Sequence, residues 1–162
     1  MEFDIDVSGE DILSKNYTIV IADKNYFIRG YKFDEKTIQL LKSRHGEGRY
    51  RYGFSKQQKA FLRVRIYCII IYYLFNDILS KIKNINITLN ICRDFEGHEK
   101  DITSFLFFLL GDKLGLKIEL RYLKLSNDSN ADKYAHLMRK DKKNLIKGYV
   151  KISFESIEKF LK

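Results

Sequence analysis

Near the N-terminus, EFDIDV alternates strictly, with Phe3, Ile5 and Val7 on one side and Asp4 and Asp6 on the other. A period of two is that of a strand with one face buried. SGED then turns the chain. NYTIVIAD and YFIRGYKF are rich in β-branched and aromatic residues and read as two further strands. Asp23-Lys24-Asn25 joins them, with Lys24 and Asn25 the predicted turn of a hairpin. DEKTIQLLKSR predicts a short helix capped by Asp34, and HGEGRYRYG (45–53) reads as a mobile loop. Ser55 is placed to cap a long helix running to about residue 82. NINITLNIC returns to alternation. Residues 97–113, rich in Phe and Leu, predict a helix ending near Gly115, and LKIELRYLKL another strand. Residues 131 to about 143 predict a helix capped by Ser129 or Asn130, and the chain closes on a short extended piece and a terminal helix.

The element order is β-β-β-α-β-α-β-α, with the short helix ahead of the long one. Hairpin-linked strands followed by β-α-β units imply one α/β domain over residues 1–162. Its single mixed five-stranded sheet would have an antiparallel start and later strands parallel to the first, flanked by helices. Val64, Ile66, Tyr67, Ile70, Ile71 and Leu74 are expected to bury the long helix, and Phe105, Leu106, Phe108 and Leu109 the next one. No repeat or linker divides the chain.

Composition narrows the class. At 162 residues, 45% hydrophobic and 31% charged, the chain fits a folded domain. Its longest apolar run, IYCIIIYYLF, is half of the about 20 residues that a spanning helix needs. Cys68 and Cys92 both lie in apolar runs and are expected in the core, without disulfide or zinc. The first residues are acidic, unlike a secretory leader, and a reducing cytoplasm is the expected location.

The net charge of +9 is unevenly spread. Residues 1–13 carry acids and no Lys or Arg, while 42–65 and 139–151 are strongly basic. Arg44, Arg49, Arg51, Lys56, Lys59 and Arg63 are candidate contacts for a nucleic-acid backbone, with Tyr50 and Tyr52 as groups that could stack on unpaired bases. Lys56, Lys59 and Arg63 recur at i, i+3 and i+7 on one helix face. The loop has no GxxxxGK[ST], so it is not a P-loop.

Three aspartates hold matching stations. Asp6 stands at the end of the first strand, Asp94 at the end of the fourth, and Asp132 in the first turn of the helix after the fifth. Parallel first and fourth strands would bring them to one sheet edge as a hard-oxygen site for Mg²⁺ or Mn²⁺. Asp4 shares a strand face with Asp6 and is the alternative ligand. Asp132 also suits a helix N-terminus on charge alone.

The order of elements with Asp at these stations resembles the ribonuclease H-like superfamily. IDVSGED is similar to the Asp-x-Ser-Gly opening of largely uncharacterised members, and NADKYAHLMRK to their Ala-Asp closing helix. The resemblance implies metal-dependent phosphodiester hydrolysis of DNA or RNA, with Asp6, Asp94 and Asp132 as metal ligands. It implies His136, one turn beyond Asp132, as an accessory group in catalysis. The chain departs from the pattern in one place. Residues 55–81 hold no Glu and only Asp77, so the carboxylate usually supplied by the first long helix is missing, and Glu35, Glu47 and Glu96 are its only nearby substitutes. That departure keeps a non-catalytic nucleic-acid-binding module, or a basic surface for an acidic protein, as the alternatives.

Overall fold

The computed structural model describes residues 1–25 and 27–162; Tyr26, part of the second hairpin run above, lies outside the described residues. The elements are β1 (Glu2–Ser8), β2 (Thr18–Ala22), β3 (Ile28–Lys32), α1 (Glu35–Gly46), α2 (Lys56–Ile78), β4 (Asn86–Ile91), α3 (Glu99–Leu106), β5 (Lys117–Tyr122), α4 (Asn130–Lys140) and α5 (Phe154–Glu158). The five strands form one sheet in the order β3-β2-β1-β4-β5. β1 is antiparallel to β2 and parallel to β4, and β5 is parallel to β4. The chain is therefore α/β with a mixed five-stranded sheet and helices on its faces.

The two faces are covered differently, and this sets the site. Phe3 and Ile5 point into the larger core with Ile19, Ile21 and the apolar side of α2, where Phe3 meets Phe75 edge-on at 5.1 Å between ring centroids. On the other face Val20 and Ala22 pack against Ala131, Ala135 and Met138 of α4. β2 is covered on both faces, so TIVIA is apolar throughout where β1 alternates. β5 alternates between exposed and half-buried residues, with Lys117, Glu119 and Arg121 open to solvent. α2 is buried over nearly its whole middle, with the sheet and α3 both packed against it.

Side-chain caps start the helices where the sequence predicts. Asp34, Ser55 and Ser129 each accept a backbone N–H from the first turn of α1, α2 and α4. Three boundaries differ. α1 runs through His45 and Gly46, so the glycine-rich loop begins later than expected. The last turn of the helix after β4 winds as a π-helix over Phe107–Asp112. α4 stops at Lys140, because the Asp141 carboxylate turns to accept Ile146 N–H at 2.9 Å and the Tyr149 hydroxyl at 2.8 Å.

The expected mobile loop after α1 is tied down by contacts across more than a hundred residues. Arg51 donates its backbone N–H to Leu161 and its Nη2 to the Phe160 carbonyl. Tyr50 is buried, and its hydroxyl donates to Glu158 Oε2 at 2.8 Å. Arg44 reaches the same carboxylate at 3.5 Å and lies over the Phe154 ring. The buried His45 ring faces the carbonyls of Tyr52 and Gly53 through Nε2, which fixes that nitrogen as the donor.

Gly9 shows why the turn after β1 carries Ser-Gly. Its φ is +132°, and a Cβ there would stand 2.6 Å from Tyr17 Cδ2. Backbone strain and that clash together are expected to make Gly9→Ala cost about 1–3 kcal/mol. Urea denaturation midpoints check this; a variant as stable as wild type would show that the turn tolerates a side chain.

Candidate functional site

Asp6 lies on the β1 face turned towards α4, almost fully buried, with its Oδ1 accepting Val7 N–H at 2.8 Å. β4 follows β1 one residue beyond Ile91, where Cys92 N–H bonds to Ile5 O at 3.2 Å. A tight turn closed by Asp94 N–H on Cys92 O at 3.0 Å then folds the chain back. Ligand atoms of Asp6, Cys92 and Asp94 consequently lie within 4.8 Å of one another. Asp132, in the first turn of α4, acts on the Asp6 carboxyl from outside the Asp6–Cys92–Asp94 group. Of the three aspartates named from the sequence, the structure brings Asp6 and Asp94 together, and Asp132 lies next to Asp6 outside that group.

The electrostatics show a site short of positive charge. Burial above all pushes the Asp6 carboxyl up to about 7; the Val7 N–H opposes this, and the carboxyl of Asp132 and the charge of Asp94 add to it. Burial of the Asp94 carboxyl raises it too, although the residue as a whole is exposed. Burial and the two aspartates push the Cys92 thiol far up. In a chain with 30 lysines and arginines, none forms an ion pair with Asp6, Asp94 or Asp132 among the described residues. Like charges gathered without a counter-ion destabilise a fold unless a proton or a cation joins them.

Asp4 is not a member of the cluster, because its oxygens are taken. Oδ1 accepts from Asn90 Nδ2 at 2.9 Å and Oδ2 from Ser129 Oγ at 2.8 Å. Ser129 is also the cap of α4, so Asp4 holds the end of the helix that carries Asp132. His136 is exposed one turn further along α4, outside the Asp-Cys-Asp group. His98 pairs with Asp101 at 3.4 Å at the start of α3. Glu35 and Glu96 are exposed, and Glu47 pairs with Arg49 at 2.6 Å; none completes the site.

Cys92 corrects the expectation of a core cysteine. Cys68 is fully buried, but Cys92 is half-buried with its thiol between two carboxylates. The alternation of NINITLNIC puts Cys92 on the Asn90 face, the one available sign; only the β1–β4 register shows that Asp6 is beside it.

The basic residues divide between scaffold and surface. Tyr50 and Arg44 serve the C-terminal docking described above. The buried Tyr50 ring offers no face to a base, which corrects that expectation; its neighbour Tyr52 is half-buried. Lys56 and Lys59 are exposed on the expected face of α2. Arg63, on the same face, pairs with Asp11 at 3.2 Å and lines a cleft of about 330 Å³ together with Gly9, Tyr17 and Asp94. Arg63 is thus the basic residue that shares a cleft with the acidic cluster.

No protein-family model, curated protein or solved structure matches this chain. No helix among the described residues is long and apolar enough to cross a membrane.

Proposed function

We propose that the chain is a ribonuclease H-like, metal-dependent nuclease that hydrolyses phosphodiester bonds in DNA or RNA. The observation that carries this reading is the meeting of Asp6, Cys92 and Asp94, with Asp132 next to Asp6 and no cation of the protein to neutralise them. The mixed sheet, with β1 parallel to β4, supports it by bringing these residues to one edge.

The donor set fits a divalent ion. Asp6, Asp94 and Asp132 offer carboxylate oxygens suited to Mg²⁺ or Mn²⁺, and the Cys92 thiol favours the softer of the two. A bound cation would supply an activated water and charge neutralisation at the scissile phosphate. The chain's own residues have distinct tasks. Asp6 would give up its proton to hold the ion, Asp4 and Ser129 hold the start of the helix that carries Asp132, and Arg63 offers a guanidinium to a phosphate in the cleft beside Asp94. Lys56 and Lys59 extend that charge along α2. The absence of an acidic residue on α2 within the cluster favours the second reading, a module on the same fold that binds nucleic acid without cutting it.

End-labelled single-stranded, double-stranded and hybrid substrates with Mg²⁺ or Mn²⁺ distinguish the two. Cleavage is expected in wild type and a loss of at least about a hundredfold in Asp132→Asn. Cleavage that survives this substitution overturns the site. Tight, salt-sensitive binding without cleavage selects the binding module.

A further inference from the structure

Arg65 stands out among the charged residues of the long helix. It is 6% exposed, and its Nε–H is shut off from solvent with no hydrogen-bond acceptor. No carboxylate among the described residues forms an ion pair with it; the polar groups felt at its guanidinium are Tyr52, Cys68 and the like-charged Arg51. Its flat side rests on Phe105, 4.5 Å from the ring centroid, with Phe108 at 5.9 Å. Lys113 lies 5.3 Å from the same Phe108 ring. Arg65 and Lys113 thus share the Phe108 ring, and neither forms an ion pair with a carboxylate among the described residues.

Arginine cannot discharge itself by losing a proton near neutral pH. Contact with an aromatic ring compensates part of the lost hydration. It does not satisfy an N–H, and a buried orphan donor is destabilising, more so on a charged group. An oxyanion supplied from outside would pair the guanidinium charge at its terminal Nη groups, which are not sealed off as Nε is. Arg51 and Phe108 beside it are exposed.

We propose that Arg65, with Arg51 and Lys113, forms a phosphate-binding site between α2 and the π-helical turn after α3. The phosphate accepts from the guanidinium fork of Arg65 and is neutralised by the two rim cations. The site does not depend on the acidic cluster or on any metal.

The test uses the full chain in EDTA. Heat-denaturation midpoints are followed as inorganic phosphate is added, against chloride at matched ionic strength, in wild type, Arg65→Met and Arg65→Lys. Wild type is expected to show a saturable rise that Arg65→Met lacks, with affinity about tenfold weaker in Arg65→Lys, which keeps the charge and loses the fork. A non-saturating rise of equal size in wild type and Arg65→Met is the general effect of an excluded salt and overturns the proposal. Lys113→Gln leaves the buried arginine in place and is expected to weaken phosphate severalfold; unchanged affinity there overturns the three-cation site. Oligonucleotides with and without a 5′-phosphate then separate the sources. Binding that needs the 5′-phosphate and falls with Arg65→Met assigns the site to a terminal phosphate or free nucleotide. Arg65-dependent binding of both assigns it to the backbone of nucleic acid.

Discussion

Asp6→Asn is expected to make the metal-free protein more stable at pH 8 while abolishing its stabilisation by Mn²⁺. Burial, Asp132 and Asp94 raise the Asp6 carboxyl to about 7, against about 4 in an unfolded chain. The folded state therefore holds the proton more tightly. Its stabilising contribution is fully present below about pH 4 and is lost as pH rises through about 7. Above that, a buried carboxylate sits beside two others with no cation to offset it. Asparagine keeps the shape and removes the charge, with an expected gain of about 2 kcal/mol at pH 8 and little change at pH 4. Mn²⁺ reverses the order, because it stabilises the native state only where Asp6 can ligate it, and more strongly at pH 8 than at pH 5, where it competes with the proton. Midpoints at pH 5 and 8, with EDTA and with Mn²⁺, check all of this. Identical pH slopes in the two proteins would show that Asp6 titrates as an ordinary carboxylate.

The second large effect is structural. Glu158→Ala is expected to cost about 3 kcal/mol and to release the C-terminal segment from the loop after α1. The Glu158 carboxylate takes the Tyr50 hydroxyl at 2.8 Å, Lys162 at 3.3 Å and Arg44 at 3.5 Å. Its removal leaves a buried hydroxyl and a half-buried guanidinium without their acceptor. Tyr50→Phe, which removes one donor and leaves the ion pairs, is expected to cost about 1 kcal/mol. Glu158 also titrates in the sense opposite to Asp6. Burial opposes its ionisation, but the Tyr50 hydroxyl, Lys162 and Arg44 outweigh burial and hold it below the usual glutamate range. Its contribution is present above the unfolded value and lost as pH falls through the folded one. Urea midpoints and the rate of tryptic cleavage at Arg49 and Arg51 measure the effect. A Glu158→Ala protein that resists trypsin as wild type does would place the anchor elsewhere, in the backbone bond of Arg51 to Leu161.

These two residues mark how far local pattern reaches. Asp6 was legible because alternation in EFDIDV assigned it a strand and a face, and because the β-α-β order implied that β1 and β4 run parallel. Asp94 and Asp132 followed from the same order. Glu158 gave no such sign. It lies in a short, weakly patterned helix, and its partners Tyr50 and Arg44 are more than a hundred residues away. Tyr50, Arg51 and the glycines around them looked like a solvated basic loop because composition is blind to a docking partner so distant. Arg65 was hidden for a related reason. Its sequence position continues a basic stretch, and only the packing of α3 against α2 buries it.

The sequence by itself determined the element types and order, the caps at Asp34 and Ser55, the apolar side of α2 and the stations of three aspartates. All of these depend on contacts within a few residues along the chain, where period and side-chain chemistry act directly. Only the tertiary structure decided that Cys92 joins Asp6 and Asp94, that Asp4 secures α4 instead of a ligand, that the basic loop is pinned by Glu158, and that Arg65 is buried without an acid. Each of those depends on the register between strands or the docking of one helix on another. Many residues then compete for the same partner, and close packing of the whole core selects among them.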